Sequence, residues 1–216
     1  MKIDFSSTRL LFVGVTAMLL TGCLFKPSTV STRHYVLAPI PAGEPSAVAK
    51  GDISVGIGFV KMPSELLRDS VAVRTGANEL EFLEDDLWAG RLDQCFQRTL
   101  AANLSQLLSS DRIYISDWGH SQVQARVFIN VQEFDVDTQG RGTLIAYWRI
   151  TAPDSEIALK SGRAKLTLSG ASPHGKPEVI AATMSDLTAD FSRELAQSLR
   201  QSVASSSLSP ASASIH

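Results

Sequence analysis

The chain has 216 residues, and its 20 Lys and Arg stand against 22 Asp and Glu, a net charge of −2. That balance gives no basic face, which excludes nucleic acid as an expected partner. The length suits one domain with a full-sized core.

The first 23 residues have the layout of an export signal. Lys2 and Arg9 form a positive start, Leu10 to Leu20 an apolar run of eleven residues, and Leu20-Thr21-Gly22-Cys23 sets small residues ahead of a cysteine. The run is too short for a bilayer-spanning helix, which takes ~20 residues. The four residues match the L-[ST]-[GA]-C box of bacterial lipoproteins at every position, so cleavage between Gly22 and Cys23 would leave Cys23 as an acylated first residue. The plainer alternative is an N-terminal membrane helix with an incidental cysteine. Each acyl methylene buried in a membrane contributes ~0.8 kcal/mol, so several chains on Cys23, palmitate among them, would hold the protein there. Enteric bacteria usually retain lipoproteins at the inner membrane through Asp after the cysteine. Leu24 therefore predicts the outer membrane, on its periplasmic face. The mature chain, Cys23 to His216, has 194 residues and a net charge of −3. Cys95 is then its sole free thiol, expected to be buried on a helix.

Further along, Leu24 to Arg33 reads as a polar tether and His34 to Leu37 as a first strand. Pro39 to Gly51 is rich in Pro, Ala and Gly and reads as a second loose stretch. Asp52 to Val60 alternates, and places Ile53, Val55, Ile57 and Phe59 on one inward face. Gly56 and Gly58 on the other face predict a close approach or a twist. Val71 to Arg74 and Glu79 to Phe82 form a hairpin around Thr75-Gly76-Ala77-Asn78. A helix is expected from about Leu87, with Trp88, Leu92, Cys95, Phe96, Leu100, Leu104, Leu107 and Leu108 on one buried face. Arg112 to Ser116 is a short strand. Gln122 to Val136 carries a phase slip after Val131 that predicts a bulge. Thr143 to Ala152 and Glu156 to Ser169 complete an antiparallel meander. A last helix, Glu178 to Val203, would bury Ile180, Met184, Leu187, Phe191, Leu195 and Leu199.

The expected fold class is α+β: a mainly antiparallel, mixed sheet with two long helices packed on one side. Its divisions are a signal at 1–22, the acylated end, first strand and tether at 23–51, the folded domain at 52–204, and a disordered tail at 205–216.

The sequence offers little chemistry. Gly170 to Lys176 fits G-x-x-x-x-G-K, but Pro177 stands where a phosphate loop needs Ser or Thr, and Pro173 removes a donor. A turn opening a helix explains it, with Pro177 near the first helical position. His34, His120, His174 and His216 stand too far apart for a local zinc site. No nucleophile elbow is present. The acids Glu79, Glu81, Glu84, Asp85, Asp86 and Asp93 lack calcium-loop spacing. Glu79 and Glu81 belong on a strand's wet face, and Glu84 to Asp86 just ahead of the helix, where they would meet its positive end. Asp93 would lie two turns in. No catalytic residue, metal or cofactor is expected.

Taken in order, Ile53-Ser54-Val55-Gly56, Pro63-Ser64-Glu65-Leu66, the Val73 to Leu80 hairpin, Trp88-Ala89-Gly90-Arg91-Leu92, Asn103-Leu104-Ser105-Gln106-Leu107-Leu108 and Ala181-Ala182-Thr183-Met184-Ser185-Asp186-Leu187 resemble the PqiC (YmbA-like) family of ABC-type transport auxiliary lipoproteins. Two places depart from the common pattern. Arg68-Asp69-Ser70 stands where members often carry Arg-Pro-Gln, and Gly90-Arg91-Leu92 where they often carry Glu-Pro-Leu. The resemblance implies a non-enzymatic lipoprotein serving an MCE-type (mammalian-cell-entry domain) ABC lipid transport system and so supporting membrane integrity. It would dock the conduit at the outer membrane against the MCE-domain protein, as a homo-oligomer. The candidate docking residues are Met62, Pro63, Leu66, Leu67 and Arg68, with Phe128 and Tyr147 off the inward phase of their strands. The alternative is a periplasmic carrier or chaperone holding an acyl chain between sheet and helices. A third possibility, a tethered hydrolase, would need Ser, His and Asp to assemble in three dimensions.

Overall fold

The computed structural model describes residues 31–41, 43, 53–115 and 123–208. The alternating segments form strands β1 (Arg33–Tyr35), β2 (Val55–Lys61), β3 (Ser70–Gly76), β4 (Glu79–Trp88), β5 (Ile113–Ile115), β6 (Ala125–Val136), β7 (Arg141–Thr151) and β8 (Ala158–Ser169). The two segments of helical period form α1 (Leu92–Leu108) and α2 (Pro177–Leu208). The class is α+β, as expected.

The strands divide into two sheets. One has the order β5-β2-β6-β7-β8, the other β1-β4-β3. β2 runs parallel to both β5 and β6, whereas β6, β7 and β8 form the antiparallel meander. The predicted hairpin is β3–β4, and β1 adds to it in parallel. Splitting one expected sheet into two follows from the hairpin's edge. β3 meets β6 through side chains and a single bridge, with Arg74 donating to Asp135 from Nε at 3.0 Å and Nη2 at 2.5 Å.

Both helices lie against one side of the large sheet. Phe96 of α1 packs edge-on against Phe134 of β6, with ring centroids 5.4 Å apart, and lies 5.9 Å from Phe191 of α2. All six apolar residues predicted for the last helix are buried, as is Cys95. The core is filled on this side by Leu100, Leu104, Leu144, Ile150 and Leu187, all fully buried.

Several local expectations are corrected. β4 continues through Glu84, Asp85 and Asp86 to Trp88, and α1 begins four residues later at Leu92. These acids therefore do not cap the helix. Between the pairs Ser70–Leu87 and Ala72–Phe82, β4 bulges, which keeps the chain extended past the point where periodicity hands over to the helix. Trp88 is buried from the strand rather than from the helix. Asp93 lies in the first helical turn, not two turns in. The last helix extends beyond Val203 to Leu208, so 205–208 belong to it; residues 209–216 lie outside the described residues, as do Gly22 and Cys23. Of the stretch expected to be loose, Pro39 to Gly51, Ile40 is buried and only residues 39–41 and 43 are described.

Phe59 is the largest correction. It is 83% exposed instead of inward. β2 pairs Ile57 with Val127 and then Val60 with Ile129, so Gly58 and Phe59 together oppose Phe128 alone. One extra residue inverts the alternation, burying Val60 and turning Phe59 out. Gln97 of α1 stabilises this bulge by donating to the carbonyls of Gly58 at 2.7 Å and Ile57 at 3.2 Å. A β-carbon at Gly58 would lie 3.1 Å from the Phe128 ring, the close approach its glycine foretold.

Candidate functional site: the open face of the large sheet

With both helices on one side, the other side of the β2-β6-β7-β8 strands stays largely uncovered. Strand register sorts its residues into cross-strand rows. Lys61, Asn130, Tyr147 and Arg163 stand side by side across β2, β6, β7 and β8, and Phe128, Arg149 and Ser161 form the next row. These two rows and Phe59 line a groove of about 590 Å³.

The arginines are held over the rings. The Arg149 guanidinium lies 4.5 Å from the Phe128 centroid, Arg126 lies 5.6 Å from the same ring, and Arg163 lies 5.7 Å from Tyr147. Such stacking fixes a cation while leaving its N–H edge free to donate. Arg126 donates to the Ser155 carbonyl at 2.8 Å and to Glu156 at 3.0 Å, and Arg149 reaches the same Glu156 at 3.4 Å. Arg126 Nε is buried without a hydrogen-bond partner, as is Thr151 Oγ1. The groove is thus aromatic at its floor and cationic at its margins, on a chain whose net charge is negative.

The predicted docking loop begins at the residue after Lys61. Ser64–Leu67 is a 3₁₀ turn in which Leu66 is buried and Met62 packs against the core. Pro63 and Leu67 are half-buried, and Arg68 is exposed with its guanidinium 4.5 Å over the Phe82 ring. The loop's apolar members thus serve mainly the fold, and of its predicted docking residues only Arg68 is exposed. Phe128 and Tyr147 do lie on the open face, as their phase indicated. Lys61, Arg126, Arg149 and Arg163 were missed. Their signal was present as one cation on each of four strands, but their neighbourhood depends on register.

The acidic stretch is structural. Among the described residues no three Asp, Glu, His or Cys side chains gather as a metal site. Asp86 is buried and accepts from Arg33 Nε at 2.8 Å and Tyr35 OH at 3.2 Å, which fastens β1 to β4. The hydrogen bond that Arg33 donates to Asp86 holds its guanidinium above its ordinary range. Asp93 accepts from Arg91 and is held below the usual carboxylate range chiefly by that bond.

The G-x-x-x-x-G-K loop also serves the fold. Gly170 N–H donates to Gly140 O at 2.8 Å, Ser172 Oγ to Thr138 O at 2.6 Å, and Pro177 is the first residue of α2. Ser172 and His174 touch each other in this exposed loop, through Oγ and Nδ1.

The segment entering the domain is clasped between the helices. Asn103, fully buried, accepts Ile40 N–H at 2.8 Å and donates to Ser192 Oγ at 3.0 Å. Thr99 donates to Leu37 O, Gln106 to Ile40 O, and Ser185 Oγ accepts Ala38 N–H, each at 3.0 Å. These bonds satisfy an extended backbone that has no sheet partner beyond Tyr35 and Ala89.

Comparison with known proteins agrees with this architecture. The model of the family described as ABC-type transport auxiliary lipoprotein component matches residues 35–196, and the chain belongs to that family. The intermembrane transport lipoprotein PqiC of Escherichia coli (strain K12) is 26% identical over 136 residues, covering 63% of this chain and 71% of that protein. PqiC of Shigella flexneri matches to the same extent. Among solved structures, protein XCC0632 of Xanthomonas campestris superposes with a TM-score of 0.66 at 12% identity, covering 82% of this chain and all of that one. A second, uncharacterized protein gives 0.58 at 20% identity, over 76% and 99% of the two chains. Both establish likeness of fold. No described helix is long and apolar enough to cross a membrane.

Proposed function

We propose that this transport auxiliary lipoprotein is a non-enzymatic accessory of an MCE-type ABC phospholipid transport system, anchored by acylated Cys23 to the periplasmic face of the outer membrane. It docks the far end of the conduit through the open sheet face and the adjoining Met62–Arg68 loop, and so supports membrane integrity. The observation that carries this reading is the pairing of family membership with an uncovered aromatic and cationic sheet face. The helix side supports docking over lipid carriage, because Phe96, Phe134, Phe191 and their neighbours occupy the space an acyl chain would need. PqiC is named as an intermembrane transport lipoprotein, which accords with the same role.

The test is purification of the tagged protein from its native membrane in mild detergent, with mass spectrometry of what accompanies it. An MCE-domain protein recovered with it, from outer-membrane fractions, is the expected result. Recovery of the protein alone, with stoichiometric phospholipid beyond its own anchor, would make it a carrier.

A further inference from the structure

We propose that the groove on the open sheet face takes an extended acidic segment of a partner protein, with the pattern acid–x–apolar–x–acid. This deepens the docking reading by naming the partner's chemistry, and it rests on that reading.

The pattern follows from the register. Lys61 and Arg163 end one cross-strand row, three strand spacings apart, with Asn130 and Tyr147 between them. Strands lie ~4.8 Å apart, so the two cations stand ~14 Å from each other. An extended chain rises ~3.3 Å per residue and points alternate side chains the same way, so residues i, i+2 and i+4 span ~13 Å on one face. Two carboxylates at i and i+4 would meet Lys61 and Arg163. The side chain at i+2 would lie over Tyr147 and Phe128, half-exposed aromatics that form the floor.

Charge complementarity selects the acids. Lys61, Arg149 and Arg163 line the groove, and no carboxylate lines it. The chain's own Glu156 already lies against Arg126 and Arg149 at one margin, through one Nη2 of each, so the face accepts a carboxylate. Asn130 and Ser161 add uncharged hydrogen-bonding groups for a peptide backbone. A bilayer surface fits less well, because Phe128 and Tyr147 lie within the rows, beneath Arg149 and Arg163, and Phe59 is the one groove aromatic that stands out, 83% exposed. The two terminal cations are exposed, so changing them leaves the core untouched.

The experiment uses the full-length lipoprotein in a zwitterionic detergent and two immobilised peptides, Gly-Glu-Ser-Leu-Ser-Glu-Gly and Gly-Lys-Ser-Leu-Ser-Lys-Gly. Wild type is expected to bind the acidic peptide at least about tenfold more tightly, with the preference weakening as salt rises. In the double variant Lys61→Glu/Arg163→Glu the preference should invert, and replacing the peptide's Leu by Ser should weaken binding. Equal binding of both peptides, binding of neither, or a preference that survives the double variant overturns the proposal. So does retention on phosphatidylglycerol-coated beads that depends on Lys61 and Arg163 without a preference for the acidic peptide; the face would then be a membrane surface. Recovery of an MCE-domain protein in the co-purification with no peptide preference would defeat this inference alone. Peptide binding with charge inversion, but no transport component recovered, would defeat the MCE assignment alone.

Discussion

Single residues decide several features of this molecule. Gly162 of β8 faces Trp148 of β7 on the helix side of the sheet, and a β-carbon there would lie 2.5 Å from the indole ring. The ring cannot withdraw into a filled core. Gly162→Ala should therefore cost about 1–3 kcal/mol in chemical denaturation, typical of overpacking; an unchanged midpoint would mean that the indole has room to move. At the β6–β7 turn, burial pushes the Asp137 carboxyl up. The Arg141 and Gln139 backbone N–H groups and the Arg141 guanidinium outweigh it and hold the carboxyl below its ordinary 3.8. A depressed carboxylate contributes stability fully above its unfolded pKa, and that stability is lost as pH falls through the folded value. The melting-temperature gap between wild type and Asp137→Asn should hold constant near neutral pH and close below about pH 4. A gap that does not narrow at all as the pH falls below about 4 would remove the charge from the explanation.

At the scale of elements, the bulge in β2 sets which side chains the sheet presents. Without it, Phe59 would follow Ile57 into the core and Val60 would face out. The pair of substitutions Phe191→Ala and Phe59→Ser tests this directly by urea unfolding. Phe191 is fully buried on α2 and its loss should cost about 3–5 kcal/mol. Phe59 should change stability by no more than about 0.5 kcal/mol. A large loss at Phe59 would return it to the core and close the groove. The helices themselves were legible in sequence because period-3.6 patterns are local, as the six buried residues of α2 demonstrate. The start of α1 was not, because an irregular β4 held extended by pairing with β1 and β3 carries no periodic signature of its own.

At the scale of the whole molecule, the domain is one-sided: helices and the clasped entry segment on one face of the large sheet, aromatic and cationic rows on the other. That division accords with the proposed docking role, which needs a sheet face that the helices do not cover. The membrane it occupies is expected to depend on Leu24. Leu24→Asp should move the lipoprotein from outer- to inner-membrane fractions in an enteric host, read by density-gradient separation, and unchanged distribution would dissociate sorting from that position.

The sequence by itself determined the α+β class, the meander, both helices, the buried Cys95 and the absence of local motifs for catalysis. These are patterns of neighbouring residues, and periodicity or spacing suffices to read them. Its lipoprotein box and ordered motifs also indicated the family, which the match over residues 35–196 established. Only tertiary structure decided the separation into two sheets, the outward turn of Phe59, and the row that joins Lys61 to Arg163. Each depends on register between strands as many as 102 residues apart, and a shift of one residue in that register moves a side chain to the opposite face.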